Sequence, residues 1–153
     1  MKHSEIIAQL PYKAPFLFVD SLEQVHKDGV VGTYQFKEDS YFYKGHFKNN
    51  PITPGVLLTE CMAQIGVVSL GLFLIQKEAK GNIDITLKPR IAMSNTTIDF
   101  YASVSPGESV TVKSEKIYYR FGKLRCKVSM MSSQQELIAK GTIDGMIVKQ
   151  IIQ

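Results

Sequence analysis

KGHFKNNPITPGVLLTECMAQIGVVSLGLFLIQ, residues 44–76, is the stretch around which the chain is organised. It opens on a histidine, His46, passes Pro51, Pro54 and Gly55, and runs on as a long apolar segment. Pro54 suits a first helical turn, where a missing N–H costs nothing, and Gly55 lets another group approach that end closely. Beyond it Val56, Leu57, Leu58, Cys61, Met62, Ile65, Val67, Val68, Leu70, Leu72, Phe73, Leu74 and Ile75 surround the helix axis. A helix apolar on nearly all sides is covered on nearly all sides. Between Lys48 and Lys77 the one charged residue is Glu60. Burying an ionised carboxylate without a partner costs several kcal/mol, so this position needs a functional or structural reason. The apolar run is about long enough to span a bilayer, but Thr59, Glu60, Gln64 and Ser69 argue for the buried helix of a soluble protein instead.

No second long helical pattern is present, so the cover for this helix must be sheet. Upstream, Ser4–Leu10 predicts a short helix with Ser4 as N-cap and Pro11 as its stop. Phe16–Val25 and Val30–Phe36 predict a hairpin turning at Lys27-Asp28-Gly29. Residues 37–44 read as a loop leading to the histidine. Downstream, a polar connection from Lys77 to Pro89 holds one short strand candidate, Ile83–Leu87. Strand-like runs follow at Ile91–Met93, Ile98–Val104, Ser109–Tyr119, Lys123–Ser132 and Leu137–Val148. Ser105-Pro106-Gly107, Arg120-Phe121-Gly122 and Ser133-Gln134-Gln135 separate the later ones. The last three runs alternate as antiparallel strands with one face on a core. The expected architecture is α+β, a single domain over residues 1–153, with one antiparallel sheet curled around one helix.

The chain is of ordinary single-domain length at 153 residues. With 44% hydrophobic and 21% charged residues its composition is globular. The net charge of +4 comes from scattered lysines, which a solvated surface explains without nucleic acid or membrane as partner. Cys61 and Cys126 are far apart and outside any metal-ligand spacing, so both read as small buried residues, and no metal or cofactor is expected. The first residues lack the apolar core of a secretory signal, which makes a cytoplasmic location the expectation.

His46 precedes the helix, Glu60 sits in its second turn, and Gln64 lies one turn later on the same face. Gly55 stands at the helix N-terminus, where unpaired N–H groups and the helix dipole favour developing negative charge. A base, an acid and an oxyanion site are the parts needed for a reaction at a carbon next to a carbonyl. Each residue also has a plainer reading: His46 as an exposed loop histidine, Glu60 as the partner of an unseen cation, Gly55 as a helix start, and Gln64 as a satisfier of backbone groups. The aromatic cluster Tyr41, Phe42, Tyr43 and Phe47 reads as core or interface.

Gly45-His46-Phe47, Asn50-Pro51, Pro54-Gly55-Val56-Leu57, Glu60 and Ala63-Gln64 together resemble the signature of the FabZ-type 3-hydroxyacyl-[acyl-carrier-protein] dehydratases, GHFPxxPxxPGVLxxEAxAQ. Leu10-Pro11, Pro15-Phe16-Leu17 and Val19-Asp20 are similar to that family's LPHRYPFLLVD. Ser105-Pro106-Gly107-Glu108 is similar to its VPGD turn and Thr142-Ile143-Asp144-Gly145 to its final strand. The resemblance implies the hotdog fold and dehydration of a 3-hydroxyacyl thioester to the trans-2-enoyl thioester, in fatty-acid or polyketide/polyene biosynthesis. It implies His46 as the base at C2 and Glu60 as the acid at the C3 hydroxyl. The Gly55 amide would receive the thioester oxygen, with Val56 beside it in the substrate site and Gln64 orienting Glu60. It also implies acyl carrier protein as partner and a homodimer whose sites take histidine and carboxylate from different protomers, with a trimer of dimers as the larger form.

The sequence departs from the pattern at several places. Lys48 replaces a proline, Tyr12-Lys13-Ala14 replace His-Arg-Tyr, and Asp99 stands where a basic residue is usual. These point to a changed mouth or interface and to a specialised paralogue of polyketide or aryl-polyene type. Two other readings compete: a hotdog acyl thioesterase, and a non-catalytic partner subunit of a heterodimeric dehydratase. The GHF spacing of His46 and the retention of both His46 and Glu60 count against them.

Overall fold

The alternating runs of the C-terminal half build the frame against which the helix packs. In the computed structural model, which describes residues 1–79 and 89–148, six strands form one antiparallel sheet. They are β1 (Ser21–His26), β2 (Gly29–Gln35), β3 (Arg90–Phe100), β4 (Ser109–Arg120), β5 (Lys123–Ser132) and β6 (Leu137–Val148), in the order β1-β2-β4-β5-β6-β3. Strand residues two apart point to the same face. Val110 and Val112 of β4 and Leu124, Cys126, Val128 and Met130 of β5 accordingly all point inward and are buried. Each buried aliphatic of this kind contributes roughly 1.5–3 kcal/mol relative to exposure.

The sheet curls around α2 (Gly55–Glu78), while the short α1 (His3–Gln9) lies against β1 and the end of α2. Leu58, Cys61, Met62, Ile65, Val67, Val68, Leu70, Leu72 and Leu74 of α2 join the strand residues in one core. At the middle of α2 the ladder widens into a single π turn, Gln64–Val68. The Ser69 N–H reaches back five residues to the Gln64 carbonyl, and the Ser69 hydroxyl donates to the same oxygen at 2.8 Å. Gly66 brings this turn onto the sheet: an added Cβ would stand 3.0 Å from the Ser114 Cβ and 3.2 Å from a Val128 methyl. Although long and apolar enough to cross a membrane, α2 is 78% buried inside the fold over its most apolar window.

The α+β architecture, the hairpin at Lys27-Asp28, the bounds of β5 and β6 and the burial of both cysteines agree with expectation. Ser105-Pro106-Gly107-Glu108 is a turn, with Glu108 N–H donating to the Ser105 carbonyl at 3.2 Å and Gly107 at φ +88°, a conformation glycine adopts freely.

Other elements differ. Helix α1 begins at His3 rather than being capped by Ser4; the Glu5 carboxylate accepts the Lys2 N–H at 3.0 Å and closes the first turn instead. Helix α2 begins at Gly55 with Pro54 just outside it. Phe16–Asp20 is not strand, because its backbone groups are taken by side chains of α2 and, at Asp20, by Thr33. The two runs 91–93 and 98–104 are one strand, β3, with a bulge between Met93 and Asn95. Its polar centre, Ser94 to Thr97, is compatible with a strand because among the described residues β3 is an edge with most of its residues exposed. The Ile83–Leu87 strand lies outside the described residues. The helix is also not covered on all sides: Val56 is 78% exposed, and Leu57, Thr59 and Glu60 are only half-buried.

Candidate active site

The loop before α2 is closed on itself. A short 3-10 turn, Tyr41–Lys44, delivers the chain to His46, whose N–H donates to the Phe42 carbonyl at 3.0 Å. The His46 carbonyl accepts the Ile52 N–H at 2.9 Å, and Phe47 and Asn50 exchange backbone hydrogen bonds of 2.7 and 3.0 Å. The His46–Phe47 peptide is cis, and the two rings stack at 3.8 Å between centroids. At the end of the loop the Thr53 N–H donates to Val104 O at 2.9 Å, and its hydroxyl meets the Tyr43 hydroxyl at 2.6 Å, both buried.

This folding fixes the tautomer of His46. Its Nδ1 lies 2.8 Å from the Ile52 carbonyl oxygen. A carbonyl can only accept, so Nδ1 carries the proton and Nε2 is left with its lone pair. A half-buried imidazole held this way is a base with a defined direction.

On α2 the Glu60 carboxylate is also held. Gln64, wholly buried, donates from Nε2 to Glu60 Oε1 and to the Phe16 carbonyl, both at 3.0 Å, and accepts the Phe18 N–H on Oε1 at 2.8 Å. Both N–H groups of the amide and its oxygen are thus used, which settles its orientation. Among the described residues Glu60 Oε2 accepts no hydrogen bond. Glu60 is half-buried rather than enclosed, so α2 exposes the carboxylate on its open face.

At the start of α2, Leu57 and Leu58 N–H groups both turn back to the Pro54 carbonyl, at 2.9 and 3.1 Å. Gly55 N–H and Val56 N–H have no acceptor among the described residues, as expected of a helix N-terminus. Nothing inside the chain demands glycine at position 55: an added Cβ would meet only the Phe100 ring, at 3.4–3.7 Å. The two bare amides sit beside the exposed Val56 side chain, giving an open donor site at the positive end of the helix dipole.

The structure therefore brings Glu60 and Gln64 into contact, locks His46 and leaves the Gly55 amide free; no hydrogen bond joins His46 to Glu60 within the chain. Sequence reasoning missed the neighbourhood of Tyr12. Its hydroxyl is pushed up to about 12, by burial first and by the Glu60 charge second. Tyr12 and Glu60 stand 48 positions apart in the sequence, and nothing in the pattern betrays this, since only the fold brings them near each other. Cys61, next to Glu60, is fully buried, donates to the Phe18 carbonyl at 3.5 Å and has its thiol pushed well up by burial, with Asp20 and Glu60 adding to it.

Comparison with known proteins places the chain in a family. The FabA-like domain family matches residues 10–147. A 3-hydroxyacyl-[acyl-carrier-protein] dehydratase FabZ of Anaplasma marginale is 34% identical over 121 residues, covering 78% of this chain and 79% of that protein. The Clostridium perfringens FabZ is 33% identical over 132 residues, covering 84% and 88%. Among solved structures, the dehydratase heterocomplex ApeI:P from Xenorhabdus doucetiae superposes with a TM-score of 0.73 at 12% identity, over 94% of this chain and 90% of that one, a likeness of fold. The fold is the hotdog, the enzyme is a hydro-lyase, and the chain belongs to the FabZ-type 3-hydroxyacyl-[acyl-carrier-protein] dehydratases.

Proposed function

We propose that the chain dehydrates a 3-hydroxyacyl thioester carried on acyl carrier protein to the trans-2-enoyl thioester, with His46 and Glu60 as catalytic residues. His46 Nε2 takes the proton from C2, made acidic by the adjacent thioester carbonyl. The charge that builds on the carbonyl oxygen is received by the Gly55 N–H, with Val56 beside it against the substrate. Glu60, held by Gln64, gives a proton to the C3 hydroxyl, which leaves as water while the C2–C3 double bond forms. One observation carries this reading: the Nδ1–Ile52 bond leaves His46 Nε2 without a hydrogen-bond partner among the described residues.

The site is completed by a second copy. Among the described residues strand β3 is hydrogen-bonded on one side only, to β6, and its other edge is unpaired. Beside it, the exposed Val56, Phe100 and Tyr101 leave the open end of α2 uncovered. Pairing of two β3 edges continues the sheet, covers those side chains and sets the His46 of one protomer against the Glu60 of its partner. Fatty-acid synthesis is the setting that the curated relatives' activity supports, with the carrier protein and the enzyme both in the cytoplasm.

The test is loss of water from 3-hydroxyacyl carrier proteins, followed by mass spectrometry. His46→Ala and Glu60→Gln each remain folded and lose about two orders of magnitude or more in turnover. Near-normal turnover of either variant refutes the assignment, and release of free thiol in place of water points to thioester hydrolysis.

A further inference from the structure

The end of β3 and the start of α2 are tied together. The Thr53 N–H, two residues ahead of Gly55, donates to the Val104 carbonyl at 2.9 Å, and both residues are buried. The strand end itself is pinned to β6: Phe100 stands opposite Ala139, and the Tyr101 and Ala102 N–H groups both donate to the Ile138 carbonyl, at 2.8 and 3.3 Å. Two exposed aromatic rings follow each other here and go different ways. Tyr101 lies beneath the Lys140 ammonium, 5.7 Å from the ring centroid, whereas Phe100 turns its ring edge to the helix start. Three carbons of that edge, Cζ, Cε1 and Cε2, lie 3.4, 3.5 and 3.7 Å from the point where a Cβ on Gly55 would stand.

This contact borders the free amide. The Cβ and amide nitrogen of one residue are about 2.5 Å apart, so the ring edge lies within about 6 Å of the Gly55 nitrogen. A carbonyl oxygen that accepts from this N–H sits about 2.9 Å away, which puts the next carbon of an acyl chain, C2, about 3.5–5 Å from the same nitrogen. Carbon atoms pack at about 3.5–4.0 Å, so C2 and the ring edge share one narrow space. The backbone ties at Thr53, Tyr101 and Ala102 hold both walls of that space, the helix start and the strand end, in place.

We infer that Phe100 is a specificity-determining residue for the carbon that loses its proton: its ring edge closes the space around C2 beside the Gly55 amide. The site then takes 3-hydroxyacyl thioesters with two hydrogens on C2 and refuses those that carry a C2 methyl. The inference rests on the dehydratase reading above, in which the thioester oxygen sits on the Gly55 N–H and one C2 hydrogen goes to His46. The other position on C2 is the one that faces the ring. Because Phe100 is 48% exposed, its truncation leaves the core intact and the folded protein can be assayed.

Two measurements on the whole protein test this. First, carrier-protein thioesters of 3-hydroxybutyrate and of both C2 epimers of 2-methyl-3-hydroxybutyrate are turned over separately, with loss of water read by mass spectrometry. The 2-methyl substrates keep one C2 hydrogen, so the chemistry stays open to them. In kcat/KM the parent prefers the unbranched substrate over the better epimer by about tenfold or more, Phe100→Ala brings the ratio within about threefold, and Phe100→Leu falls between. Equal values in the parent, or a preference that survives Phe100→Ala unchanged, overturn the inference. Second, with the glycine nitrogens isotope-labelled, the Gly55 resonance is identified by its loss in Gly55→Ala and followed by NMR as butyryl-pantetheine or its branched isomer isobutyryl-pantetheine is added. In the parent the unbranched thioester moves the resonance at about a tenth or less of the concentration the branched one needs, and in Phe100→Ala the two act at comparable concentrations. A resonance that moves alike with both in the parent, or with neither, overturns it. If the parent turns over no 3-hydroxyacyl carrier protein, the dehydratase reading fails, while the resonance experiment still decides whether Phe100 screens C2.

Discussion

Replacing Gln64 by alanine tests how much of the site is held by one amide. The substitution removes the acceptor of the Phe18 N–H and both donors, to Phe16 O and Glu60 Oε1. Phe18 is 1% exposed, so its N–H is left buried without a partner, at a cost of about 1–3 kcal/mol. Phe16 is 42% exposed, so water can replace the lost donor to its carbonyl and that term is small. Truncating a wholly buried side chain adds a cavity cost of roughly 1–2 kcal/mol. The sum, about 2–5 kcal/mol, is a large share of the 5–15 kcal/mol typical of a domain. At urea slopes of about 1–3 kcal/mol per molar, the unfolding midpoint falls by roughly 1–2 M at fixed protein concentration. Gln64→Glu keeps the acceptor for Phe18 and stays closer to the parent at acid pH, where the new carboxyl is protonated and regains a donor. A midpoint shift under about 0.3 M for Gln64→Ala, with activity retained, refutes the view that this amide both anchors the crossing segment and orients the carboxylate.

Further outcomes follow from other parts of the molecule. Gly55→Ala leaves the unfolding midpoint near the parent value, since the new methyl meets only the Phe100 ring at 3.4 Å, yet it lowers kcat/KM because the methyl crowds the space beside the free amide. Asp144 is almost wholly buried, and the Arg125 guanidinium, at 2.7 and 2.8 Å, holds its carboxyl below the usual carboxylate range, with Lys123 assisting. A group depressed in the folded state contributes stability above its unfolded value and loses it as pH falls through its folded value. Urea midpoints therefore drop below about pH 4, and Asp144→Asn flattens that acid limb. Cys61 and Cys126 are buried, with both thiols pushed up, Cys126 to about 12, so a thiol reagent labels neither in the native protein and both after unfolding. Asn95→Lys combined with Thr97→Lys sets like charges along the exposed edge of β3, and sedimentation shows weaker self-association than in the parent.

The parts of the fold that were legible in the sequence are those where one rule acts alone. Alternation located β5 and β6 to the residue because each has one face on the core and two sheet neighbours. It failed at β3, where an edge strand has no buried face to impose the pattern and Ser94 to Thr97 look like a break. It failed again at Phe16–Asp20, whose apolar residues suit a strand but whose hydrogen bonds go to Gln64. The constellation of His46, Gly55, Glu60 and Gln64 was visible from spacing and resemblance together. The lock on His46 was not, because its partner is a backbone carbonyl that any residue at position 52 would supply. The half-open state of Glu60 was hidden for another reason: the apolar run around it reads as core whether its cover comes from the same chain or from another.

The widened turn at Gln64–Val68 has a consequence for how this helix can change. One extra residue in the ladder turns everything beyond it by about 100° relative to an uninterrupted helix. The first half of α2, with Gly55, Glu60 and Gln64, is thereby given a facing of its own, while the second half keeps Leu70, Leu72 and Leu74 against the sheet. The turn works as a clutch between chemistry and anchorage. Substitutions that adjust the surroundings of Glu60 at one end need not be matched at the other, whereas deleting a single residue between Ile65 and Val68 would re-engage the halves and aim either the carboxylate or the core residues the wrong way.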